Sequence, residues 1–321
     1  MSYIDVFNGD ADGICALIQL RKVNPQNAQL VTGVKRDINL LRHVNVTPDD
    51  QITVLDISFD KNHLDVLRLL NSGASIKYFD HHYSGVPINH PRLETIINDQ
   101  SSTICTGLLV DQYISGQFRE WALVAAFGDN MNNIAMSLGK NSGLDHKSLC
   151  LLQKLGIYIN YNSYGENLSD LFYHPDVLYG YLRQYDSPLN FIQEDPLIYD
   201  TLETGYQKDI AMAQTSPFLY QSTESAIILL RNEKWAHRVN GTYISKLANQ
   251  FPDRAHAIIT ENTGDTCTVS IRTPITRKTL PADQLALKFP SGGGRKSAAG
   301  INTLPIDQIG QFIEEFKTYF K

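Results

Sequence analysis

The sequence predicts an α/β protein of two domains. A parallel-sheet N-terminal domain with helices on both faces is joined by a helical linker to a smaller α/β C-terminal domain. Three observations predict this. Short apolar strands alternate with helical patterns through the first third of the chain, the pattern of a parallel sheet covered on both sides. The pattern breaks at Pro188 and Pro196 and then resets into new strands and helices. The length, 321 residues with 42% hydrophobic and 19% charged, suits about two domains with real cores and excludes wholesale disorder.

In order, Tyr3 to Phe7 reads as a strand and Gly13 to Val23 as the helix after it. Gln29 to Val34 and Ile52 to Ile57 are the next strands. Lys61 to Leu70 has helical spacing through Leu64, Leu67 and Leu70, and Ser75 to Phe79 is a fourth strand. Residues 102–165 read as mostly helical, and Pro196 to Gln214 as a further helix. Ala226 to Leu230 is a strand and Tyr243 to Gln250 a helix. Ala257 to Thr260 and Cys267 to Arg272 form a hairpin pair, and Ile301 to Leu304 a short strand. Gln284 to Phe289 and Ile306 to Phe320 are helical. The expected division is 1–190, a linker over 191–220, and 221–321.

The net charge of -6 excludes a general basic surface for long duplex DNA while leaving room for a local basic pocket. The first residues, MSYIDVFNGDADG, lack the basic and apolar regions of a secretory signal. No apolar run approaches the roughly 18 residues of a membrane span. Cys15, Cys105, Cys150 and Cys267 form no CxxC pair, so a cysteine zinc site is not expected and a cytoplasmic setting is.

The chemistry-bearing signal is a series of carboxylates directly after apolar runs. Asp10 and Asp12 follow the first strand, Asp56 the third, and Asp80 with His81 and His82 the fourth. Asp129 follows the apolar run Trp121 to Phe127. Any one acid alone reads as a helix cap or turn residue. Together, on parallel strands, they converge on one sheet edge and repel unless a cation neutralises them. Oxygen ligands with one imidazole suit Mn2+ or Mg2+ better than zinc. A pair of such ions bridged by one carboxylate is the usual device for attacking a phosphate ester.

A second signal is Ser291-Gly292-Gly293-Gly294-Arg295-Lys296. Three glycines let a backbone approach a ligand, their N–H groups can cradle an anion, and Arg295 and Lys296 add positive charge. Arg272, ending an apolar strand, is a further candidate for phosphate.

These motifs, in this order, resemble the DHH phosphoesterase superfamily. The resemblance covers most of the chain, a DHH catalytic domain followed by a DHH-associated substrate-binding domain. It implies that Asp10 and Asp56 hold a first Mn2+ and that Asp12, Asp56, His81 and Asp129 hold a second. It implies that His82 faces the scissile phosphate and that Asp80 orients a histidine. Ser101, Ser102 and Thr103 match the family's Ser-Ser-Thr stretch near the site, and Arg272 its phosphate-binding arginine. Two positions depart. Asn8 stands near a position where many small members carry a metal-binding histidine, and Arg295 replaces the histidine of a GGGH loop. A permanently charged fork can pair with phosphate or with guanine O6 and N7.

The expected function is metal-dependent hydrolysis of short linear oligonucleotides, with pGpG-like dinucleotides first, by a monomer or homodimer. A pAp-type bisphosphate phosphatase, a single-strand exonuclease, a pyrophosphatase and a non-catalytic nucleotide sensor are the alternatives.

Overall fold

The computed structural model describes residues 1–101, 103–276 and 280–321. Ser102 of the expected Ser-Ser-Thr stretch lies outside them. The chain divides into two compact units. The first comprises Met1–Ser163 and Asn167–Glu203, the second Tyr164–Glu166 and Thr204–Lys321.

The first unit is built on five parallel strands: β1 (Tyr3–Phe7), β2 (Ala28–Val31), β3 (Gln51–Leu55), β4 (Ser75–Asp80) and β5 (Leu93–Ile97), in the order β2-β1-β3-β4-β5. β5 is not legible in the sequence, because Leu93-Glu94-Thr95-Ile96-Ile97 is short and half-exposed and lacks a clean alternation. The register sets Phe7, Leu55 and Phe79 opposite one another, so the carboxyl ends of β1, β3 and β4 are level. The strand order turns back between β1 and β3, the place where open α/β sheets bind their ligands.

Helix α1 (Ala11–Val23) is buried from Ala11 to Leu20, packed among the sheet and the helices α3 (Thr106–Tyr113) and α4 (Arg119–Gly128). Its apolar run of Ile14, Leu17 and Ile18 has no solvent face to keep polar. Arg21 anchors it by a fork on Asp5 and a bond of 2.8 Å to Thr53 Oγ1. The other sheet face packs Ile4, Val6, Ile52, Val54, Ile76 and Tyr78 against Leu40, Leu41 and helix α2 (His63–Asn71). The buried stripe of α2 is Val66, Leu69 and Leu70. Leu64 is 80% exposed, so the Leu64/Leu67/Leu70 register names the wrong face. The error is one of phase: a nine-residue helix carries two overlapping leucine spacings, and only the sheet decides between them.

The run Trp121 to Phe127 is helix α4, buried throughout, and not a strand. Continuous apolar runs are ambiguous between buried strand and buried helix, and Ala122, Ala125 and Ala126 favour the helix. Helices α5 (Asn132–Asn141), α6 (His146–Asn162), α7 (Pro175–Leu182) and α8 (Pro188–Glu194) complete this unit. Helix α9 (Pro196–Gln214) runs without interruption past Glu203.

The second unit has a six-stranded mixed sheet in the order β10-β11-β9-β8-β7-β6. Its strands are β6 (Phe218–Gln221), β7 (Ser225–Leu230), β8 (Ala255–Glu261), β9 (Thr266–Arg272), β10 (Gly292–Arg295) and β11 (Ala298–Pro305). Helix α10 (Lys234–Gln250) lies on β8 and β9 and starts nine residues before the expected Tyr243. Helices α11 (Ala282–Ala286) and α12 (Ile309–Tyr319) pack Phe289, Phe312 and Phe316 on the opposite face, against Ile259, Val269, Ile271 and Ile301.

The glycine-rich segment is a strand and not the open anion loop expected. Gly292, Gly293 and Gly294 pair with Ile301, Gly300 and Ala299. Packing explains two of the three glycines. A Cβ on Gly292 would stand 1.7 Å from the Ala286 carbonyl oxygen, and Gly294, at φ +140°, would meet Ala299 Cα at 2.5 Å. Gly292→Ala therefore destabilises this unit by about 2–4 kcal/mol, since backbone must move to admit the methyl group. Urea unfolding of the variant measures it, and an unchanged midpoint would refute the packing role. A methyl group added at Gly293 would meet nothing within 4 Å, so packing does not require that glycine.

His256, on β8 opposite Arg272, is 2% exposed, and neither ring nitrogen has a hydrogen-bond partner. Burial, then the nearby Arg254 charge, lowers its pKa from 6.5 to about 4. The unfolded chain takes up this proton first. The stability it confers is thus complete above pH 6.5 and is lost as pH falls toward 4. The full difference is on the order of 3 kcal/mol. Urea unfolding of wild type between about pH 7.5 and 4.5 should show that loss, and His256→Phe should remove this part of the slope. Identical slopes in the two proteins would refute it.

Candidate metal centre

The level strand ends deliver the acids. Asn8 follows β1, Asp56 follows β3, and Asp80 ends β4. Asp56 has φ +58°, the left-handed region that aspartate tolerates better than most residues, at the point where β3 must present its carboxylate. Asp10 and Asp12 do not share one extended segment. Asp10 is the N-cap of α1, its Oδ1 accepting the N–H groups of Asp12 and Gly13 at 3.0 Å each, and Asp12 is in the first helical turn. Asp129 reaches the same region from the C-terminus of α4 and not from a strand. There Asn130 ends the helix at φ +61°.

His81 is the centre of the group. Its Nδ1 lies 3.0 Å from the Ile104 carbonyl oxygen, which can only accept, so Nδ1 carries a proton. The other ring nitrogen, Nε2, faces Asp56 Oδ1 at 3.4 Å, Asp12 Oδ2 at 3.7 Å and Asp129 Oδ2 at 3.7 Å, and in a ring protonated at Nδ1 alone it presents a lone pair to them. Ligand atoms of Asp12, His81 and Asp129 lie within 4.8 Å of one another, as do those of Asp56, His81 and His82, and lone pairs so placed repel unless a cation lies among them. The separations about Nε2 are close to the roughly 3 Å between neighbouring ligands on one small divalent ion. The donor set, three carboxylates and one imidazole with its other nitrogen tied to a carbonyl, fits such an ion.

The electrostatics agree. Burial, and then the neighbouring Asp12 and Asp10 charges, push the Asp56 carboxyl well above the usual carboxylate range. Burial also raises Asp12, against the nearby His81, with Asp129 and Asp10 adding to the rise. Helix α3 partly offsets this, for Asp12 accepts the N–H of Thr106 at 2.8 Å and of Gly107 at 2.7 Å, at the positive end of the helix. Thr106 Oγ1 donates to Asp56 Oδ1 at 3.1 Å. Gly107 leaves no room for a side chain, since a Cβ there would stand 2.4 Å from Ala125 Cβ.

Asp80 faces away from the cluster. Its Oδ2 accepts the Phe59 N–H at 3.1 Å. Its Oδ1 accepts the His81 and His82 N–H groups and the His82 ring, whose Nδ1 lies 2.7 Å away. That pairing leaves Nε2 of His82 directed outward on a side chain that is 33% exposed.

The structure thus gathers Asp12, Asp56, His81 and Asp129, with Asp80 and His82 beside them. Asp10 is adjacent, but both of its oxygens are engaged, Oδ2 by the Lys35 ammonium. The Asn8 amide oxygen accepts the Asp10 N–H at 3.3 Å and its Nδ2 donates to the Lys35 carbonyl at 3.4 Å, so Asn8 braces a turn. Ser101 and Thr103 bond to each other at 2.7 Å. In the second unit Arg272 donates to Ser245 Oγ at 3.3 Å. Arg295 and Lys296 are exposed at the β10–β11 turn. The sequence reading missed Thr106, Gly107 and Lys35. Thr106 carries no motif signal, and Lys35 meets the site only because the loop after β2 crosses Gly9, where a Cβ would lie 2.2 Å from the Gly33 carbonyl oxygen.

The comparisons with known proteins bear on the second unit by family and on the whole chain by fold. Residues 219–321 match the DHHA1 domain. Over 99% of its length the chain is similar to exonuclease RecJ bound to manganese, with TM-score 0.61 and 14% identity over 89% of that chain. It is similar to the pGpG-specific phosphodiesterase PggH of Vibrio cholerae, with TM-score 0.60 and 15% identity over 98% of that chain. RecJ of Thermus thermophilus in complex with Mn2+ gives 0.56 and 12%, and this chain covers 52% of it. No curated protein matches the sequence. At these identities the structural likeness is one of fold. No helix among the described residues is long and apolar enough to cross a membrane.

Proposed function

We propose that this protein is a divalent-metal-dependent phosphodiesterase that hydrolyses short linear oligonucleotides, with dinucleotides such as pGpG its preferred substrates. The observation that carries the reading is the His81 ring with Asp12, Asp56 and Asp129 at 3.4–3.7 Å on the sheet's carboxyl edge. These four residues hold the ion, Mn2+ by preference with Mg2+ as the alternative. A divalent ion there supplies Lewis acidity toward the phosphate and toward the attacking water.

The chain's own residues do the rest. Asp80 pairs with Nδ1–H of His82 and supports the imidazolium form, in which Nε2 carries the second proton, and that proton passes to the leaving ester oxygen and leaves the ring neutral. Thr106 and the α3 N-terminus hold Asp56 and Asp12 in place. In the second unit Arg272 is the phosphate partner, and the backbone at Gly293 is free of close neighbours on the side a Cβ would take. Arg295 and Lys296 contribute charge, and Arg295 reads guanine or phosphate. The likeness in length and fold to PggH supports a dinucleotide substrate. The RecJ fold keeps a single-strand exonuclease as the second reading.

The test is turnover with Mn2+ against pGpG, pApA, a pentaribonucleotide, a long single-stranded RNA, pAp and pyrophosphate. Dinucleotides should be cleaved fastest, with pGpG above pApA and the ratio reduced in Arg295→Ala. Preference for the long strand would replace this reading with the exonuclease. Preference for pAp or pyrophosphate would replace it with a phosphatase. No turnover of any substrate would overturn the catalytic reading.

A further inference from the structure

Lys35 brings a cation into the acidic group, and it is held there from several directions. The Lys35 N–H donates to the Ser163 carbonyl at 2.9 Å, and its own carbonyl accepts from Asn8 Nδ2. Its ammonium donates to Asp10 Oδ2, donates to Asn160 Oδ1 at 2.9 Å, and lies 3.8 Å from Asp129 Oδ1. Its side chain is 22% exposed and the Asp10 side chain 3%.

Two consequences follow from the lone pairs. Asp10 Oδ1 accepts two cap N–H groups and Oδ2 accepts the ammonium, so the ammonium stands at the Asp10 oxygen that the cap leaves open to a second cation. Asp129 divides its oxygens, Oδ2 toward His81 and Oδ1 toward Lys35. The ammonium therefore stands beside the ion position and repels a second cation from the Asp10 side. Asn8 strengthens the arrangement, because its amide fixes the Lys35 backbone and its oxygen is committed to the Asp10 turn.

We propose that this pocket holds one divalent ion, on Asp12, Asp56, His81 and Asp129, and that the Lys35 ammonium on Asp10 takes the place of a second. This rests on the metal-dependent reading above and departs from a two-ion site. It makes Lys35 a positioning residue. It neutralises Asp10, steadies Asp129, and places a fixed positive charge beside the phosphate without itself ligating the ion.

The test is the number of Mn2+ ions bound per full-length chain, by equilibrium dialysis, with the electron paramagnetic resonance spectrum of the bound ion. Wild type should bind one Mn2+ with the six-line spectrum of an isolated ion. Lys35→Met and Lys35→Gln should bind two and show the broadened spectrum of an exchange-coupled pair, while Lys35→Arg should remain at one. Asp10→Asn, which keeps the helix cap, should still bind one. Two ions in wild type would overturn the proposal and leave the metal-dependent reading intact. So would a single ion in both uncharged Lys35 variants, or loss of the ion in Asp10→Asn. No Mn2+ bound by wild type would overturn both. If the uncharged Lys35 variants fail to fold, the wild-type and Asp10→Asn counts decide.

Discussion

Replacing His81 with alanine should abolish Mn2+ binding and lower phosphodiester hydrolysis by about 10^3-fold or more, the several kcal/mol that a Lewis acid supplies to a transition state. His81 Nε2 is the atom that lies 3.4–3.7 Å from all three carboxylates. Without it the ion is left with carboxylates alone and its position among them is lost. The ring is buried and tied to Ile104, so a loss of packing must be separated from a loss of ligand. His81→Gln, which keeps volume and a carbonyl oxygen, serves that purpose and should recover part of the ion affinity. Calorimetric titration with Mn2+ and steady-state turnover are the two readouts. Full turnover in His81→Ala with an intact ion would remove the cluster from the mechanism. Asp56→Asn should fail in the same way, but its metal-stripped form should melt above wild type. Burial and the adjacent acids disfavour the charged Asp56, and the amide removes that repulsion.

His82→Ala should lower kcat by about 10^2–10^4-fold while leaving the Mn2+ affinity near wild type, the signature of a lost proton donor. Nδ1 is committed to Asp80 at 2.7 Å, which leaves Nε2 as the free nitrogen of a side chain 33% exposed. Asp80→Asn should give a smaller loss with the same split, because the amide cannot accept from Nδ1, from two backbone N–H groups and from Phe59 in the same way. Asp56, His81 and His82 also lie close enough together to share an ion. Loss of Mn2+ in His82→Ala would therefore reassign His82 as a ligand, and an unchanged kcat would remove it from the chemistry.

The gathering of the acids and histidines was more legible than the elements that bring them together. Asp56, Asp80 and His81 stand out because each directly follows an apolar strand, and strand ends in a parallel sheet share an edge. Asp129 was found through the same rule for the wrong reason, since the run before it is helix α4. Both helices and strands end where apolar residues end, so the position survived the error. Asp10 and Asp12 both follow the first strand, but they do not act as a pair. The helix begins at Ala11, and the two acids take different work, one capping and one facing His81. The three glycines invited an anion-loop reading because glycine permits close approach of any kind. Here, at 292 and 294, the approaching groups are Ala286 and Ala299.

By itself the sequence determined what depends on local order along the chain. Parallel strands alternating with helices follow from periodicity. An acidic, histidine-bearing edge follows from where those periods stop. Only the tertiary structure decided which atoms meet. Lys35, Asn160 and Thr106 are far in sequence from the carboxylates they touch or stand beside. The fold brings them together through the loop over Gly9, the end of α6 and the start of α3. A hydrogen bond or an ion pair depends on separations of a few ångströms. Sequence spacing carries no information at that scale between residues joined only through the packing of the core.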